Sequence, residues 1–496
     1  MRSAAAGWLL WVAVAFGLFG MGLSRHRFRS VESSLDAGRW PGSIDAIRAY
    51  VTNDGDVRRY FAYAEAARGR SYASYFVRTA EDWRKAFAAA EPYRPDAWPD
   101  VIPKQALVPY RDYLVEYPPG FFLAALPPSW VAHDADSYVR WFEALMALAL
   151  TCALVLAAKS VGWLGGHPIS LARIAVWGAL STLLLGVVAT HRYDAAVALA
   201  MAGCLAALAA QRPIALGIAL GIAIALKITP ALMVPIVVMH AARERRYRDL
   251  FLAALATAAS LALISLPLFF LAGKHILDLF RYHADRPVQI ESTWGALLGL
   301  LHSVHPGWVV VEKTFGSTNV AGAFAKVAAA AANLATVAGL LAVYAVTWRR
   351  LASPIAAERG RAAFAATAAV FAAFVACGKV SSPQYLVWIL PIGLALSLTD
   401  GRRVCLVLFL AFLALTQTVY PITYGRLEAL RPGPCALVLA RNVVLITWAA
   451  LILGERRATH PRPVRSRSKL GLFGAAAAVS PTDSATAAWF RRSPKA

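Results

Sequence analysis

Long apolar stretches separated by short polar connections dominate this chain. They occur at residues 7–23, 138–158, 171–189, 194–210, 213–226, 228–242, 249–272, 320–347, 362–378, 384–399, 404–420 and 436–454. Hydrophobic residues make up 59% of the chain and charged residues only 16%, too few to cover the surface of a soluble fold of this size. The sequence therefore predicts an all-α, polytopic integral membrane protein with about twelve transmembrane helices.

The first apolar stretch sets the domain organisation. Residues 7–23 have the length of a signal peptide, but no small-residue cleavage site follows and basic residues 25–27 come directly after. We interpret this stretch as an uncleaved first span. Residues 1–454 then form one polytopic domain. Its long first loop, 24–118, is too polar to cross the bilayer, and the Pro-broken residues 119–133 are expected to lie in the interface or to re-enter.

The distribution of basic residues predicts which connections face the cytoplasm. The chain has 50 basic and 28 acidic residues, with arginine clusters at 243–248, 349–361 and 402–403. Positive connections mark the cytoplasmic side and suit anionic lipid headgroups, and no groove-reading element suggests a nucleic-acid partner. Alternation then predicts that segments 24–118, 190–194, 273–319, 379–383 and 421–435 lie together outside. The basic residues 455–496 are expected to form a disordered cytoplasmic tail.

Residues 213–242 contain a lysine in the middle of thirty mostly apolar residues. A single tilted helix would bury Lys227 in hydrocarbon, at a cost of about 2.5–3.5 kcal/mol. Two short helices that meet at the outer face would instead place this lysine in water. Both flanks would then face the cytoplasm, in agreement with Arg212 and the basic 243–248 connection. The sequence therefore favours a helical hairpin.

The cysteines and acidic residues do not demand a bound metal. The five cysteines have no paired spacing, and Cys152, Cys204, Cys377 and Cys405 lie in or beside apolar spans, as small buried hydrophobic residues do. No cofactor is expected. A divalent cation shared by acidic residues of the first loop is compatible with the sequence, but no ligand spacing calls for one. The acidic residues concerned are Asp54, Asp56, Asp112 and Glu116.

Polar side chains are concentrated in the segments that we predict to share the outer face. They include Asp54, Asp56, Asp112, Glu116, His191, Arg192, Asp194, Lys227, Arg281, Arg286, Gln289, Glu291, Lys379, Ser382, Gln384 and Tyr385. Each could serve alone as an interfacial anchor or a snorkelling side chain. Scattered anchors should occur on both faces, however, so carboxylates and cations gathered on one face favour a functional site.

These residue types divide naturally into chemical roles. An anionic lipid-linked donor needs cations near the headgroup plane, which Lys227, Arg281, Arg286 and Lys379 can supply. A hydroxyl acceptor needs a carboxylate base as it attacks. Aromatic rings stack on sugars while their hydroxyl groups donate hydrogen bonds, and the candidates are Tyr60, Tyr63, Tyr117 and Tyr385.

Five motifs spread from about residue 54 to residue 391 resemble those of a known family. They are the acidic-then-tyrosine start at Asp56, Tyr60 and Tyr63 followed by Gly69 and Tyr72, YRDYLVEYPPG, RYDAAVALA, GIALGIAIALKITPALMVP and KVSSPQYLVWILP. The chain resembles polytopic glycosyltransferases of the GT-C superfamily. Within it, the chain is similar to glycosyltransferase family 87, whose members are polyprenol-phosphate-mannose-dependent mannosyltransferase-like enzymes. Residues 73–109 form a longer insertion than the family pattern has, which leaves the acceptor preference open.

The resemblance implies an activity and roles for individual residues. It implies inverting transfer of a hexose, mannose above all, from a polyprenyl-phosphate donor to a glycolipid or glycan acceptor at the outer face of a bacterial-type inner membrane. Asp56 would be the general base, with Asp54 as its nearest competitor and a structural helix cap as the alternative for both. Lys227 and Arg286 would bind the donor phosphate, and the segment 382–385 would shape the pocket.

Two other functions fit the apolar pattern. A transporter or lipid flippase would explain the interrupted 213–242 pair, because broken helices also build midplane binding sites. It predicts a related hairpin in the second half, and the sequence contains no second KITP-like break. A structural scaffold would explain the spans but not the one-sided polar clusters. The sugar transferase is therefore the favoured hypothesis.

Overall fold

The computed structural model describes residues 55–68, 108–111, 115–164, 169–399 and 403–454. Within these residues, seven helices are long and apolar enough to cross a membrane. Shorter apolar helices lie among them, at Phe121–Val131, Asp194–Ala209, Pro213–Leu226, Thr229–Arg243, Thr293–Val304 and Pro383–Ser397. The predicted class, an all-α polytopic membrane protein, is confirmed. The predicted span 7–23, Asp54, Asp112 and the tail 455–496 lie outside the described residues.

The elements follow one another in a mostly helical order. They are α1 (Gly55–Arg68), α2 (Phe121–Val131), α3 (Ala135–Trp163), α4 (Leu171–Leu185), α5 (Asp194–Ala209), α6 (Pro213–Leu226), α7 (Val234–Arg243), α8 (Tyr247–Ala272), α9 (Asp278–Asp285), β1 (Val288–Gln289), α10 (Thr293–Val304), β2 (Val309–Thr314), β3 (Ser317–Gly322), α11 (Ala325–Arg350), α12 (Ala356–Cys377), α13 (Leu386–Ser397), α14 (Arg403–Gln417), α15 (Tyr424–Glu428) and α16 (Pro432–Gly454). Short 3₁₀ turns at Gly186–Ala189, Thr229–Met233, Gly273–Leu277, Pro306–Trp308 and Pro383–Tyr385, and a π turn at Thr418–Ile422, connect some of them.

The predicted spans after the first correspond to α3 to α8, α11 to α14 and α16. One boundary error is at residue 320, where the predicted span begins five residues early. Val320 belongs to strand β3, and the helix begins at Ala325. The Pro-broken segment 119–133 forms α2, a helix of only 11 residues that contains Pro127 and Pro128. Its length is too short to cross a bilayer, as predicted.

The interior of the bundle is formed by α12 and α13. Every residue from Leu386 to Ser397 is buried, because these two helices are surrounded by protein. In contrast, α8 and α11 present bare apolar faces, with Leu263 79% and Leu334 72% exposed. Faces of this kind are stable only against hydrocarbon, so α8 and α11 are the lipid-facing helices of the bundle.

Two glycines allow α6 and α8 to pack closely. A Cβ atom at Gly217 would lie 2.2 Å from the Ala253 carbonyl oxygen, and one at Gly221 would lie 2.0 Å from Ser260 Oγ. Small residues four apart permit such backbone contact within membranes. Residue numbers increase in the same direction along this contact, so α6 and α8 run parallel. Helix α7, which lies between them in sequence, therefore runs in the opposite direction.

The predicted hairpin at 213–242 is confirmed. Arg212 at the start of α6 and His240 near the end of α7 line the same cleft, whereas Lys227 lies at the other end of α6. The expectation that Lys227 would stand in water is wrong. Its side chain is only 14% exposed and is ion-paired with Asp194, because α5 begins directly beside the hairpin tip.

A small antiparallel sheet, in the order β1-β3-β2, was not predicted. Strands β2 and β3 form a hairpin whose turn places Phe315 and Gly316 in the left-handed region, with φ of 54° and 62°. The Tyr282 hydroxyl donates to the Phe315 carbonyl oxygen at 2.8 Å. This bond fixes the hairpin tip to α9, next to the loop that carries several of the predicted site residues.

The two ends of the bundle differ in character. At one end, Glu244 interacts with Arg359 at 3.2 Å and with Arg246 at 3.7 Å. At the other end, which we call the polar end, the described parts of segments 24–118, 190–194, 273–319, 379–383 and 421–435 meet. Arg192 contacts Asp56 there, and Thr318 donates to Glu428 at 2.9 Å. The predicted gathering of these segments on one face is thus confirmed.

Candidate active site

The predicted base Asp56 lies in the first turn of α1 and is held by two arginines. Its carboxylate is ion-paired with Arg192, and Arg59 Nη1 lies 3.7 Å from its Oδ1. The side chain is 24% exposed, so Asp56 is partly buried. Burial raises the pKa of Asp56, but the charges of Arg192 and Arg59 outweigh it and hold that pKa below its ordinary value. The carboxylate is therefore ionised at neutral pH.

The segment around Glu116 joins α1 to the membrane helices. Glu116 accepts hydrogen bonds from Tyr63 Oη at 2.6 Å and from Arg59 Nη1 at 3.1 Å. Its carbonyl oxygen is 3.1 Å from His283 Nε2 on α9. Gly120 follows and donates its N–H to the Ala225 carbonyl oxygen at 2.9 Å, two residues before Lys227. These bonds set the position of α1 relative to the hairpin tip.

The tyrosines of this region pack chiefly on one another. The Tyr60 ring meets those of Tyr117, Phe121 and Tyr193 at centroid distances of 5.6, 5.0 and 5.9 Å. Tyr60 and Tyr63 are 0% and 1% exposed, so both belong to the core and offer no open ring face. The hydroxyl oxygens of Tyr60 and Tyr193 are buried without a hydrogen-bond partner among the described residues. The packed rings of Tyr60 and its neighbours therefore stabilise the protein core next to the site.

The segment His191 to Asp194 links α1 to α13. Arg192, besides its pairing with Asp56, donates Nε–H to Gln384 Oε1 at 2.9 Å. His191 is 2% exposed and its Nε2 is hydrogen-bonded to Glu143 of α3. The first loop, the turn before α5 and the Ser-Pro-Gln-Tyr segment are thereby joined in a single polar network.

Lys227 is enclosed in a cage of one carboxylate and three aromatic rings. Its Nζ donates to Asp194 Oδ1 at 2.7 Å and lies 4.7 Å from the Trp388 ring centroid and 5.3 Å from that of Tyr385. The Trp388 indole also donates to Asp194 Oδ1, at 2.6 Å. Asp194 Oδ2 remains buried without a partner in the described chain. The cage fixes one positive charge near the polar end.

Arg286 supplies a second cation at the end of α9. Electrostatic interactions connect it with Lys227, Lys379 and Glu291. Its Nε is buried and has no hydrogen-bond partner among the described residues. Lys379 Nζ donates to the Ala284 carbonyl oxygen at 2.8 Å and holds the loop that carries Arg286. An anionic group between Lys227 and Arg286 would meet two positive charges and an unused donor.

The other predicted site residues differ from one another in exposure and in bonding partners. Arg281 is 72% exposed and pairs with Asp278 on its own helix, at 3.4 Å, so it stands apart from Lys227 and Arg286. Gln289 accepts from the Ser381 N–H at 3.0 Å, and the Ser382 carbonyl oxygen accepts from the Tyr385 N–H at 3.0 Å. Both Gln289 and Ser382 shape the 379–385 loop. Asp54 and Asp112 lie outside the described residues.

Four residues of the network were missed from the sequence: Arg59, Glu143, Trp388 and Arg441. Arg441 donates to the Glu291 carbonyl oxygen at 2.8 Å and to Ser381 Oγ at 3.0 Å. It is 3% exposed in the middle of α16. An arginine inside an apolar span is itself a signal of a functional site, and this signal was available in the predicted span 436–454.

The described residues contain no group of three or more His, Cys, Asp or Glu side chains placed to hold a metal ion. Asp56 and Glu116 both contact Arg59, and each has a further partner, Arg192 for the first and Tyr63 for the second. Their oxygen atoms therefore face cationic or hydroxyl donors. Among the described residues, the carboxylates of Asp56 and Glu116 are thus neutralised by protein side chains.

Comparison with known proteins gives one family. The family model described as glycosyltransferase family 87 matches residues 114–377, more than half of the 496-residue chain. No curated protein matches the chain. Among solved structures, the crystal structure of ArnT from Cupriavidus metallidurans bound to undecaprenyl phosphate has 17% sequence identity, and the match covers 82% of this chain and 77% of that chain. The TM-score is 0.37, too low to establish a shared fold.

The matched range includes the hairpin with Lys227, and also Arg286, and it begins after α1. The role of Asp56 therefore has no support from the match. With its membrane-spanning helices and a family match over more than half of its length, this chain belongs to glycosyltransferase family 87 and is a membrane glycosyltransferase.

Proposed function

We propose that this glycosyltransferase transfers a hexose, mannose above all, from a polyprenyl-phosphate donor to a hydroxyl group of a glycolipid or glycan. The observation that carries the proposal is the position of Asp56. An ionised, partly buried carboxylate is linked through Arg192 and Gln384 to the segment that carries Tyr385, whose ring contacts caged Lys227. The proposed base and the proposed phosphate-binding cation are thus parts of one network. Membership in a glycosyltransferase family favours this reaction over transport.

The reaction is an inverting displacement. The acceptor oxygen attacks the anomeric carbon from the side opposite the phosphate, the new glycosidic bond forms, and the bond from that carbon to the phosphate oxygen breaks. The electron pair leaves with polyprenyl phosphate, and the acceptor proton passes to Asp56. Lys227 and Arg286 offset the charge that grows on the leaving phosphate, and such fixed charges stabilise a transition state without reorganisation.

The arginines beside Asp56 limit its strength as a base but keep it ionised. A carboxylate with a lowered pKa accepts a proton only late in the displacement, when the acceptor oxygen has become acidic. The same negative charge lies near the sugar, where positive charge develops as the leaving group departs. Asp56 therefore contributes as a proton acceptor and as an electrostatic partner of the reacting sugar.

The basic connections at the opposite end of the bundle support an orientation. Arg359 and Arg246 lie with Glu244 there, and basic connections face the cytoplasm in membrane proteins. The polar end then faces outward, away from nucleotide-linked sugars, which suits a lipid-linked donor. A bacterial-type inner membrane is the proposed location, as the family resemblance implies.

Replacement of Asp56 tests the proposal. In membranes or purified enzyme supplied with labelled polyprenyl-phosphate mannose, Asp56→Asn is expected to reduce transfer by roughly 10²- to 10⁴-fold, the contribution of a positioned base. Asp136→Asn is the matched control, because its carboxylate pairs with Arg58 of α1, the helix that carries Asp56, and its side chain is 67% exposed. Full activity of Asp56→Asn would remove the base assignment. Loss in Asp54→Asn with retention in Asp56→Asn would transfer that role to Asp54.

A further inference from the structure

A second cluster of buried polar groups centres on Glu291, which interacts electrostatically with Arg286; we call this cluster the second polar compartment. Glu291 precedes Ser292, whose hydroxyl caps α10 by accepting the Gly295 N–H at 2.9 Å. Glu291 is 2% exposed, and its Oε2 has no hydrogen-bond partner among the described residues. A buried carboxyl oxygen without a partner is costly, so the position is suited to a polar group that the described chain does not provide.

Arg441 holds together the two loops that carry Glu291 and Ser381. From the middle of α16, its guanidinium donates to the Glu291 carbonyl oxygen at 2.8 Å, to Ser381 Oγ at 3.0 Å and to Asn442 Oδ1 at 3.0 Å. It thereby joins the loop before α10 to the loop before α13. Burial of an arginine within an apolar span carries a substantial cost, and such residues face functional cavities.

The compartment interacts with Arg286, one of the two cations proposed to bind phosphate. Electrostatic interactions connect the Glu291 carboxyl with Arg286 and with the hydroxyl groups of Tyr385 and Tyr424. The Nε of Arg286 is buried and unused among the described residues. A carboxyl group, guanidinium groups and aromatic rings are the set that binds a sugar, because carboxyl oxygens receive its hydroxyl groups while rings cover its apolar face.

We propose that Glu291, held in place by Arg441, forms a hydroxyl-binding subsite for the transferred hexose and determines which hexose is accepted. The inference rests on the proposed function, since it assumes that a sugar phosphate binds at Lys227 and Arg286. In such a donor the sugar is bonded directly to the phosphate, so its hydroxyl groups lie one ring away from Arg286. Glu291 binds one of them through Oε2, and Arg441 is a positioning residue that holds the Glu291 backbone.

The protonation behaviour of Glu291 suits this role. Burial raises its pKa to about 7, against the opposing charges of Arg441 and Arg286. Near neutral pH the carboxyl group is present in both forms, one an acceptor and the other also a donor. Each of them can bind a sugar hydroxyl group, which itself donates and accepts.

The test compares kcat/KM for a series of donors between the wild-type enzyme and Glu291→Gln. The purified full-length enzyme in lipid nanodiscs would be given polyprenyl-phosphate mannose and its monodeoxy analogues at each ring position. For wild type, one analogue is expected to lose roughly 10- to 150-fold in kcat/KM, the equivalent of a hydrogen bond to a charged group. In Glu291→Gln that single loss should shrink to a few-fold, while the effects of the other analogues stay unchanged. Glu312→Gln, on the exposed face of β2, is the matched control.

The outcomes distinguish a sugar subsite from a purely structural role of Glu291. The same deoxy profile in wild type and Glu291→Gln, or an equal loss for every donor, would overturn the subsite and leave Glu291 a structural partner of Arg441. Glu291→Asp replaces Glu291→Gln if the latter fails to elute as a folded protein. If wild type transfers no sugar, the proposed function fails. The donors are then ranked by binding in native mass spectrometry, where equal binding of all of them overturns the subsite.

Discussion

The ion pair between Lys227 and Asp194 gives the sharpest prediction for this structure. Asp194 is 0% exposed, and its Oδ1 accepts from Lys227 Nζ at 2.7 Å and from Trp388 Nε1 at 2.6 Å. Lys227→Met removes the only cation bonded to this carboxylate among the described residues. A buried charge is left with one neutral donor, and such single replacements cost about 3–5 kcal/mol of stability.

The double variant, Lys227→Met with Asp194→Asn, separates the interaction energy of the ion pair from the contributions of the two single side chains. Asp194→Asn should cost less than Lys227→Met, because three aromatic rings still surround the ammonium group and cation–π contacts contribute about 0.5–2 kcal/mol each. The combined variant carries neither charge. It should therefore be more stable than Lys227→Met by about 2 kcal/mol or more, a coupling within the range known for contacting residues.

Reversible unfolding in mixed detergent micelles, followed by tryptophan fluorescence, would measure these differences. Lys326→Met, at an exposed position of α11, serves as the control and should change stability by less than about 0.5 kcal/mol. Transfer activity should be low in every variant that lacks Lys227, including the combined one, because stability returns without the phosphate-binding charge. Near-wild-type stability of Lys227→Met, or a combined variant weaker than both single ones, would refute the reasoning.

Three further predictions follow from the site and its supports. The folded pKa of Glu291, about 7, exceeds the ordinary 4.5, so the contribution of this group to stability is fully present below pH 4.5 and is lost as the pH rises through 7. The loss amounts to at most about 3 kcal/mol. Glu291→Gln should flatten this pH dependence in unfolding curves measured at a series of pH values. Tyr63→Phe leaves a buried oxygen of Glu116 with one donor fewer and should cost about 1–3 kcal/mol in the same assay. Gly120→Ala places a Cβ 2.4 Å from a backbone carbon of α6 and should reduce both stability and transfer, whereas Gly307→Ala, with nothing within 4 Å, should change neither.

The helical part of the fold was predictable because each span is a continuous apolar run bounded by polar residues. The hairpin at 213–242 followed from the cost of one lysine in hydrocarbon, and Lys227 does lie at its tip. Its environment was not predictable, since the partner Asp194 is 33 residues away on α5. A sequence shows which positions carry charge, but only the packing of helices decides which charges meet.

The 273–319 connection was the least predictable region. We expected a loop, and the structure has α9, α10 and most of the small sheet there. The strands are short, and the apolar residues of β3 run directly into those of α11, so the hydropathy pattern merges them into one span. The turn at Phe315-Gly316 was a usable local signal, because glycine readily adopts the left-handed conformation found there.

Within the candidate site, Asp56, Arg192 and Lys227 were identified by their residue types and by the family resemblance. Arg59 and Trp388 were missed because they lie next to stronger candidates, and Arg441 because it is enclosed in an apolar span. Tyr60 and Tyr63 were expected to stack on a sugar, yet both are buried. Aromatic residues in a membrane protein serve core packing as well as ligand binding, and residue type alone does not separate the two.

The shortness of α6 has a mechanical consequence for catalysis. Its 14 residues span about 21 Å, against roughly 30 Å of hydrocarbon in an ordinary bilayer. Even an upright α6 therefore leaves Lys227 several ångströms below one headgroup layer. Either the bilayer becomes thinner around the enzyme, or the donor headgroup must move below the headgroup layer to reach Lys227. Both changes cost energy that depends on acyl-chain length. The turnover rate should consequently respond to the thickness of the host membrane as well as to the identity of its sugars.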